Sequence, residues 1–264
     1  MIAGSAPQAE ANTADYDPVW FDRLDRVEAR HFWFRARRGV IARLFERYAR
    51  RSDRVLEIGA GTGSVAAALA ARGFNVAVSD IHHQALEIAG RRGLAERYEF
   101  DLMAMPFREQ FDVIGLFDVL EHLDDDRAAL LAIRQALKPG GRLVLTVPAH
   151  RWLWNQSDML AHHKRRYGLK EIRQRIAAAG FDILDARGFF VSLVPLLLLR
   201  RLVSPGRKDD SRTAAAGLSV IPVANEIMLS ILSLDNLLSG WLRPAAGGSI
   251  AVVARKSTSA PEVP

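Results

Sequence analysis

The chain has 264 residues, a formal net charge of +6 and no cysteine. That length is sufficient for one domain with a full hydrophobic core, and the absence of cysteine excludes disulfides and thiolate metal sites. The opening residues contain no basic region followed by an apolar one, so we expect no secretory signal and a cytoplasmic protein. The basic charge is compatible with nucleic acid, an anionic membrane surface, an anionic substrate, or merely a GC-rich genome that favours arginine.

Two predicted helices precede the first strand. Helical periodicity covers Asp17–Arg30 and Arg35–Arg50, which predicts a helical cap over residues 15–50 after a disordered terminus at residues 1–14. Aromatic and arginine residues are dense at His31–Arg38. Such a run is typical of a helix that packs its rings on the core and leaves its charges in solvent.

An apolar strand then runs into a glycine-rich turn, Gly59–Gly63, and an alanine-rich helix, Ser64–Arg72. Glycines let the backbone pass close to a ligand because no side chain blocks the approach. A dinucleotide fingerprint shares this design, but its last two glycines stand one residue further apart than they do here. Glu57 precedes the turn, where a negative charge favours a cationic ligand over a phosphate.

Two further predicted strands end in acids. Phe74–Asp80 ends at the carboxyl edge of an open α/β sheet, where Asp80 can accept hydrogen bonds from both hydroxyls of a ribose. Tyr98–Leu102 predicts the third strand. Asp101 either contacts the same ligand or caps a turn before Pro106.

The fourth and fifth predicted strands carry the next motifs. Phe111–Phe117 is almost continuously apolar, as a strand buried on both faces should be, and it leads into Asp118-Val119-Leu120-Glu121-His122. A helix that ends at Lys138, a Pro-Gly-Gly turn and a fifth strand up to Pro148 follow. This alternation of strands and helices predicts a parallel sheet with right-handed crossovers.

The order of these motifs resembles class I S-adenosylmethionine-dependent methyltransferases of the bacterial small-molecule and lipid type. Their glycine loop E/D-x-G-x-G-x-G and their D-V-L-E-H and L-K-P-G-G segments all occur here. The resemblance implies an α/β, Rossmann-like, seven-stranded and mostly parallel sheet with helices on both faces and an antiparallel last strand. It also implies S-adenosylmethionine as the cofactor, with Arg37 or its neighbour Arg38 binding the cofactor carboxylate. The residues expected to bind the cofactor are Glu57, Gly59, Ala60, Gly61, Gly63, Asp80, Ile81, Asp101, Leu102, Phe117, Asp118 and Arg37.

Catalytic and acceptor-binding residues are expected just past the fourth and fifth strands, because ligands bind at the carboxyl ends of strands in such sheets. His122 is the predicted general base by its ordinary pKa, unless it bonds the backbone at a helix start. Tyr167 is the second predicted catalytic residue. Two tryptophans and a basic cluster suggest an acceptor with an apolar body and an anionic group. The predicted acceptor-binding residues are Trp152, Trp154, His163, Arg165 and Arg166.

The adjacent histidines His162 and His163 raise the question of a metal ion. No carboxylate stands at ligand spacing beside them in the sequence, so we expect no metal site. The surrounding segment resembles the pattern V-P-A…L-W-S…D…H-x-R-R-Y of the bacterial subgroup, with Asn155 in place of a small residue such as serine.

The second half of the chain predicts a helix at Leu169–Ala179, a strand at Phe181–Gly188 and a last strand at Gly248–Arg255. Between those strands, residues 189–243 form an apolar helical insertion with a polar linker at Ser204–Gly217. Neither apolar stretch is a convincing span, since a bilayer needs about 20 apolar residues. We expect a hydrophobic lid that also contacts the inner membrane surface, with a dimer face as the alternative.

These observations predict a single domain over residues 15–256, with a cofactor-binding core at residues 51–149 and a disordered tail at residues 257–264. The expected function is methyl transfer to oxygen, nitrogen or carbon of a small or lipid-linked, anionic acceptor. Methylation of RNA or protein is favoured only by the basic charge, and nucleic acid is disfavoured because no N/D-P-P-Y segment follows the fourth strand. A non-catalytic cofactor-binding subunit, assembled through the insertion, is the alternative from another class.

Overall fold

A computed structural model describes residues 18–203, 222–242 and 244–258. The predicted disordered terminus, the polar linker at Ser204–Gly217 and most of the predicted tail lie outside these ranges. The helices are α1 Pro18–Glu28, α2 Phe32–Tyr48, α3 Ser64–Ala70, α4 His83–Arg91, α5 Asp126–Ala136, α6 Gln156–Leu160, α7 Leu169–Ala178, α8 Val194–Val203 and α9 Pro222–Leu242. The strands are β1 Arg54–Ile58, β2 Asn75–Asp80, β3 Arg97–Glu99, β4 Phe111–Phe117, β5 Leu137–Pro148, β6 Phe181–Phe189 and β7 Ser249–Lys256.

The strands form one seven-stranded sheet in the order β3-β2-β1-β4-β5-β7-β6. Strands β1 to β5 pair in parallel, and β7 runs antiparallel to both of its neighbours. The predicted Rossmann-like sheet with an antiparallel last strand is therefore confirmed. The chain leaves β1 toward β2 and β3 and then returns to place β4 on the other side of β1. This reversal of strand order opens a crevice at the carboxyl ends of β1 and β4, where ligands bind in such sheets.

Buried side chains cover both faces of the sheet, as expected. On one face, α2 and α3 contribute apolar residues such as Ile41, Phe45 and Leu69. On the other face, α5 and α7 contribute residues such as Ile133 and Ile172. The central strands are buried between these two layers, which explains why β4 is apolar at nearly every position.

Two predicted boundaries need correction. The third strand ends at Glu99 rather than Leu102, because Asp101 caps a short 3₁₀ helix instead of continuing the ladder. The fifth strand begins at Leu137, so the Pro-Gly-Gly segment lies within β5 and is not a turn before it. Phe111 pairs with Leu137, and the next pairs are displaced along β5, so the segment bulges out of the ladder.

The longest helix that the structure describes, α9, packs a polar side against the protein. Its buried residues include Asn225, Asn236 and Ser239. Asn225 accepts a hydrogen bond from the Phe32 N–H (2.7 Å) and donates one to the Arg30 carbonyl (2.9 Å). It thereby satisfies one of the backbone donors that the first turn of α2 leaves open.

None of the helices in the described ranges combines the length and the apolar character needed to cross a bilayer. The large apolar side chains of α9 nevertheless lie mostly on its exposed side. The exposed ones are Val223, Ile227, Ile231, Leu234, Leu237, Leu238, Trp241 and Leu242. We call this set the α9 apolar face.

The segment that joins α9 to β7 crosses the end of β6 at very close range. The Gly188 N–H donates to the Pro244 carbonyl (2.6 Å). A Cβ at Gly188 would lie 2.1 Å from the Ala246 carbonyl oxygen. Only glycine allows this crossing, because backbone atoms on both sides leave no room for a side chain.

We expect Gly188→Ala to lower the free energy of unfolding by about 1–3 kcal/mol, because the added methyl group must displace backbone. Gly39→Ala is the matched control, since no heavy atom lies within 4 Å of a Cβ at that position in α2. The control should gain about 0.5–1 kcal/mol from helix propensity. Urea unfolding of both variants measures the difference, and equal stability of the two would contradict the described crossing.

Candidate active site

Three glycines shape the turn between β1 and α3. Gly59, Gly61 and Gly63 have φ angles of 65°, 54° and 72°, a region in which side chains are disfavoured. A Cβ at Gly59 would lie 2.5 Å from a methyl group of Val119, whereas a Cβ at Gly61 would meet no heavy atom within 4 Å. The turn thus packs tightly at its start and faces open space at its middle, where a ligand can approach the backbone.

Glu57 is a buried acid at the end of β1, directly before this turn. Burial raises the pKa of Glu57 to about 8, with a contribution from the charges of Glu28 and Asp80, while Arg37 and a hydrogen bond from the Ala66 N–H oppose the rise. One carboxylate oxygen, Oε2, has no hydrogen-bond partner among the described residues. A buried acceptor of this kind fits a cationic group of a ligand.

Asp80 holds the glycine turn from the end of β2. Its carboxylate accepts hydrogen bonds from the Gly61 N–H (2.8 Å) and the His82 N–H (2.9 Å). Ile81 follows with an exposed side chain. Asp80 therefore positions the backbone that faces the open space, and each carboxylate oxygen retains a lone pair for a ribose hydroxyl.

Asp101 and Leu102 lie just past β3. The preceding residue, Phe100, donates its N–H to the Asp80 carbonyl (3.4 Å), which brings this segment close to the end of β2. The Asp101 carboxylate accepts from the Met103 N–H (2.9 Å), so the capping role that the sequence left open is present. Leu102 is buried. The structure thus brings the predicted residues of β1, β2 and β3 to one edge of the sheet.

Arg37 reaches the end of β4 from α2. Its guanidinium donates to the Phe117 carbonyl (2.8 Å), and its Nε lies 2.5 Å from a carboxylate oxygen of Asp118. Asp118 has a φ of 55°, an uncommon conformation for a residue other than glycine and one that clusters at functional sites. Phe117 is buried below it. These two contacts use Nη2 and Nε, so further N–H groups of the Arg37 guanidinium remain for a cofactor carboxylate.

Sequence reasoning missed the contacts between the N-terminal helices and the glycine turn. The Thr62 hydroxyl donates to Glu28, which also pairs with Arg92 (3.2 Å). Arg38 donates to the Glu28 carbonyl (2.8 Å) and to the Ser64 hydroxyl (2.9 Å). Each contact joins residues far apart in the chain, so no local pattern could have indicated them.

The predicted roles of Tyr167 and Arg166 are corrected by their positions. Tyr167 is fully buried, and its hydroxyl donates to Asp126 (3.1 Å); burial and the Asp126 charge raise its pKa. Arg166 is also buried and donates to Asp158 (2.7 Å) and to the Ala149 carbonyl (3.0 Å). Both side chains hold the loop after β5 in place. Tyr167 is closed to an acceptor, whereas the small exposed part of Arg166 lies in the lining of the cleft described below.

His122 lies in a 3₁₀ turn after β4, beside His163 at a ring-centroid separation of 4.9 Å. Burial and the neighbouring His163 together lower the pKa of His122 to about 4, and the charge of Asp118 opposes this change. A base with this pKa is neutral at pH 7 but accepts a proton weakly, because general bases act best near the working pH. The ordinary histidine pKa on which the predicted base depends therefore does not apply here.

The other predicted acceptor-binding residues lie at the rim. Trp152 is exposed and stacks on His150. Trp154 and Arg165 line a cleft of about 410 Å³, together with Arg151, Lys164, Arg166 and Arg175. Each exposed cation of this cleft already pairs with a carboxylate, as Arg165 does with Asp126 (3.4 Å). An anionic acceptor group would have to displace these partners.

The reversed strand order, the open glycine turn and the acids around it define a Rossmann-like cofactor-binding domain. Residues 29–186 match the family described as methyltransferase domain. The chain belongs to this family, and its cofactor is S-adenosylmethionine. The unpartnered oxygen of Glu57 and the open space at Gly61 fit that cofactor, which carries positive charge.

Similar proteins cover parts of the chain. A demethylmenaquinone methyltransferase of Clavibacter sepedonicus is 39% identical over 99 residues, which are 35% of this chain and 40% of that protein. A ubiquinone biosynthesis O-methyltransferase of Idiomarina loihiensis is 32% identical over 97 residues, 34% of this chain and 40% of that protein. The chain thus matches about two fifths of the length of these relatives.

One solved structure of similar fold is phosphoethanolamine N-methyltransferase 2 of Haemonchus contortus in complex with S-adenosyl-L-methionine. The TM-score is 0.61 at 19% identity, over 94% of this chain and 59% of that one. An identity this low supports the shared fold alone.

We expect Glu57→Gln to stabilise the protein while weakening its binding of S-adenosylmethionine. Because the folded state keeps the Glu57 proton up to pH 8 and the unfolded chain loses it near pH 4.5, this carboxyl costs stability increasingly as the pH rises between those values. The variant should therefore gain on the order of 2–4 kcal/mol at pH 8 and much less at pH 5. Calorimetric titration should show binding weaker by at least about tenfold, or 1.4 kcal/mol.

Glu87→Gln, an exposed acid on α4, is the control and should change neither the pH profile of thermal unfolding nor the affinity. A Glu57→Gln protein with the stability profile of the wild type would show that Glu57 is not buried as described.

Proposed function

We propose that this chain transfers the methyl group of S-adenosylmethionine to a hydroxyl oxygen of a small aromatic acceptor that carries an apolar tail. The methyl-donor side of this proposal depends on the buried Glu57 beside the open glycine turn, whose Oε2 has no hydrogen-bond partner among the described residues. Bound S-adenosylmethionine supplies an electrophilic methyl group, and its transfer to a hydroxyl leaves S-adenosylhomocysteine, the methylated acceptor and one proton.

The residues of the chain divide the work of holding the two ligands. Glu57 would neutralise a cationic group of the cofactor, Asp80 would accept from the ribose, and Asp101 would lie nearest the adenine. Arg37 and Asp118 would border the cofactor site at the end of β4, near the transferred methyl group. The gain in rate comes mainly from alignment, because a positioned donor and acceptor react as one molecule.

The acceptor class is supported by the names of the relatives. Both matched proteins are named for steps in quinone biosynthesis, one as an O-methyltransferase. An aromatic acceptor of this type has an apolar body, which suits the exposed Trp152 and the cleft at Trp154. The pairing of the cleft cations with carboxylates gives less support to an anionic acceptor than the sequence alone did.

The apolar tail is supported by the α9 apolar face. Soluble proteins rarely leave a contiguous apolar surface of this kind without a partner. Trp241, 81% exposed near the end of α9, is the type of residue that anchors proteins at a membrane interface. Leu196 and Leu199 of α8 are also exposed, and the sequence places two arginines, Arg200 and Arg201, after them. We infer that these helices lie on an anionic lipid surface and receive the acceptor from it.

An activity assay tests the proposed reaction. The full chain is incubated with S-adenosylmethionine and hydroxylated quinone precursors with and without a polyprenyl tail, and S-adenosylhomocysteine release is measured. We expect turnover on the hydroxylated aromatic acceptors and a kcat/KM at least about tenfold higher with the tail, since two buried methylenes supply that factor. RNA and protein acceptors serve as controls. Tight cofactor binding without turnover on any hydroxylated aromatic acceptor would overturn the proposal.

A sedimentation assay with anionic vesicles tests the lipid contact. Leu234→Glu combined with Leu238→Glu places charge in the α9 apolar face and should lower the partition coefficient at least about tenfold, because each leucine loses about 1.5–3 kcal/mol of burial. Ser233→Glu adds a charge at an exposed polar position at the edge of this face and, compared with Leu234→Glu alone, should retain most binding. Equal partitioning of wild type and the leucine variant would contradict the contact, and a wild-type dimer dissociated by those substitutions would assign the face to a second copy.

A further inference from the structure

Three potential metal ligands converge beyond the end of β4. Glu121 and His122 come from the 3₁₀ turn after β4, and His163 comes from the loop after α6. One ligand atom from each side chain lies within 4.8 Å of the other two. A hydrogen bond from the Lys164 N–H to the Glu121 carbonyl (2.9 Å) holds the two segments together.

The burial of Glu121 without hydrogen-bond partners is the observation that indicates a bound ligand. This side chain has no exposed surface, and neither carboxylate oxygen has a hydrogen-bond partner among the described residues. A carboxylate buried without a partner is costly, so buried acids are normally paired or bound to a metal. The structure supplies Glu121 with no side-chain donor at hydrogen-bonding distance.

The imidazole of His163 lies at a distance from Glu121 that is typical of two ligands of one metal ion. His163 Nε2 lies 3.8 Å from Glu121 Oε1, which is too long for a hydrogen bond. Nitrogen and oxygen ligands lie about 2.0–2.2 Å from a bound zinc ion, so two ligands of one ion are about 3–4 Å apart. The separation therefore suits an ion between the two side chains.

The surroundings of His163 orient it as a ligand. Its other ring nitrogen, Nδ1, contacts Asp158 Oδ1 at 2.8 Å, and Asp158 is buried and paired with Arg166 (2.7 Å). Metal-binding histidines usually bond a carboxylate in this way, which fixes the ring and directs the second nitrogen at the ion. Arg166 thus supports the cluster through its ion pair with Asp158.

We propose that Glu121, His122 and His163 bind a divalent transition-metal ion of the Zn²⁺ or Mn²⁺ type. Two imidazoles and one carboxylate suit such ions better than Mg²⁺ or Ca²⁺, which prefer all-oxygen sites. The sequence alone predicts no metal site, because no carboxylate stands at ligand spacing from His162 and His163 along the chain. The acid comes instead from the end of β4, which only the fold brings next to His163.

Three protein ligands leave further coordination positions open to water. On the proposed function, an acceptor oxygen would occupy one of them, and the ion would favour its deprotonated form. The ion would thereby take over the role that the sequence assigned to His122 as a base. Metal binding itself does not depend on that function.

The test is a titration of the metal-stripped full chain with Co²⁺, without cofactor or acceptor, followed by visible absorption and calorimetry. We expect one ion per chain with the spectrum of nitrogen and oxygen coordination, and competition by Zn²⁺. Glu121→Gln and His163→Ala should each weaken binding at least about tenfold, since even a lost supporting contact costs 10- to 100-fold. His83→Ala is the matched control, because His83 is an exposed histidine beside Glu87 and Glu99, and it should bind as the wild type does.

X-ray absorption of the wild-type protein with Zn²⁺ gives a second readout that needs no variant to fold. Two imidazole ligands are expected in the first coordination shell. The proposal is overturned if the wild type binds no stoichiometric ion, or if binding survives in both cluster variants and disappears in His83→Ala. Because the titration contains no acceptor, a failed activity assay leaves its outcome unaffected.

Discussion

The burial of the Glu57 carboxylate at the end of β1 is the constraint on which the site depends. A charge in that position is costly unless other groups offset it, and among the described residues Arg37 and the Ala66 N–H stabilise it. Arg37 can act there because α2 lies across the carboxyl edge of the sheet. A helix that packs on one face of the sheet therefore also offsets part of the charge in its central crevice.

The acids along this edge differ in whether their carboxylate oxygens have hydrogen-bond partners. Asp80 is satisfied by the backbone that it holds, whereas Glu57 and Glu121 each retain buried oxygens without partners. Of these two acids, Glu57 lies at the end of β1 and Glu121 just after β4, the strands on either side of the point where the strand order reverses. Each is therefore suited to a different positively charged partner, one in the methyl donor and one in a bound ion.

The fold could be predicted from sequence because its signals are local. Apolar runs indicated β1, β2 and β4, and glycines indicated the turn that follows Glu57. The roles of Tyr167, Arg166 and Glu121 could not be predicted, because polar side chains on the rim and in the core have the same local sequence pattern. Tertiary contacts decide between those environments. Tyr167 bonds to Asp126 and Arg166 to Asp158, and the loop after α6 brings His163 to Glu121.

The hydrogen bonds of Asn225 connect α9 to α2. They fix its first turn to α9, and Arg37 lies just beyond that turn with its guanidinium on Phe117 and Asp118. On the proposed function, a lipid surface that binds the outer side of α9 would therefore be joined through α2 to the residues at the end of β4.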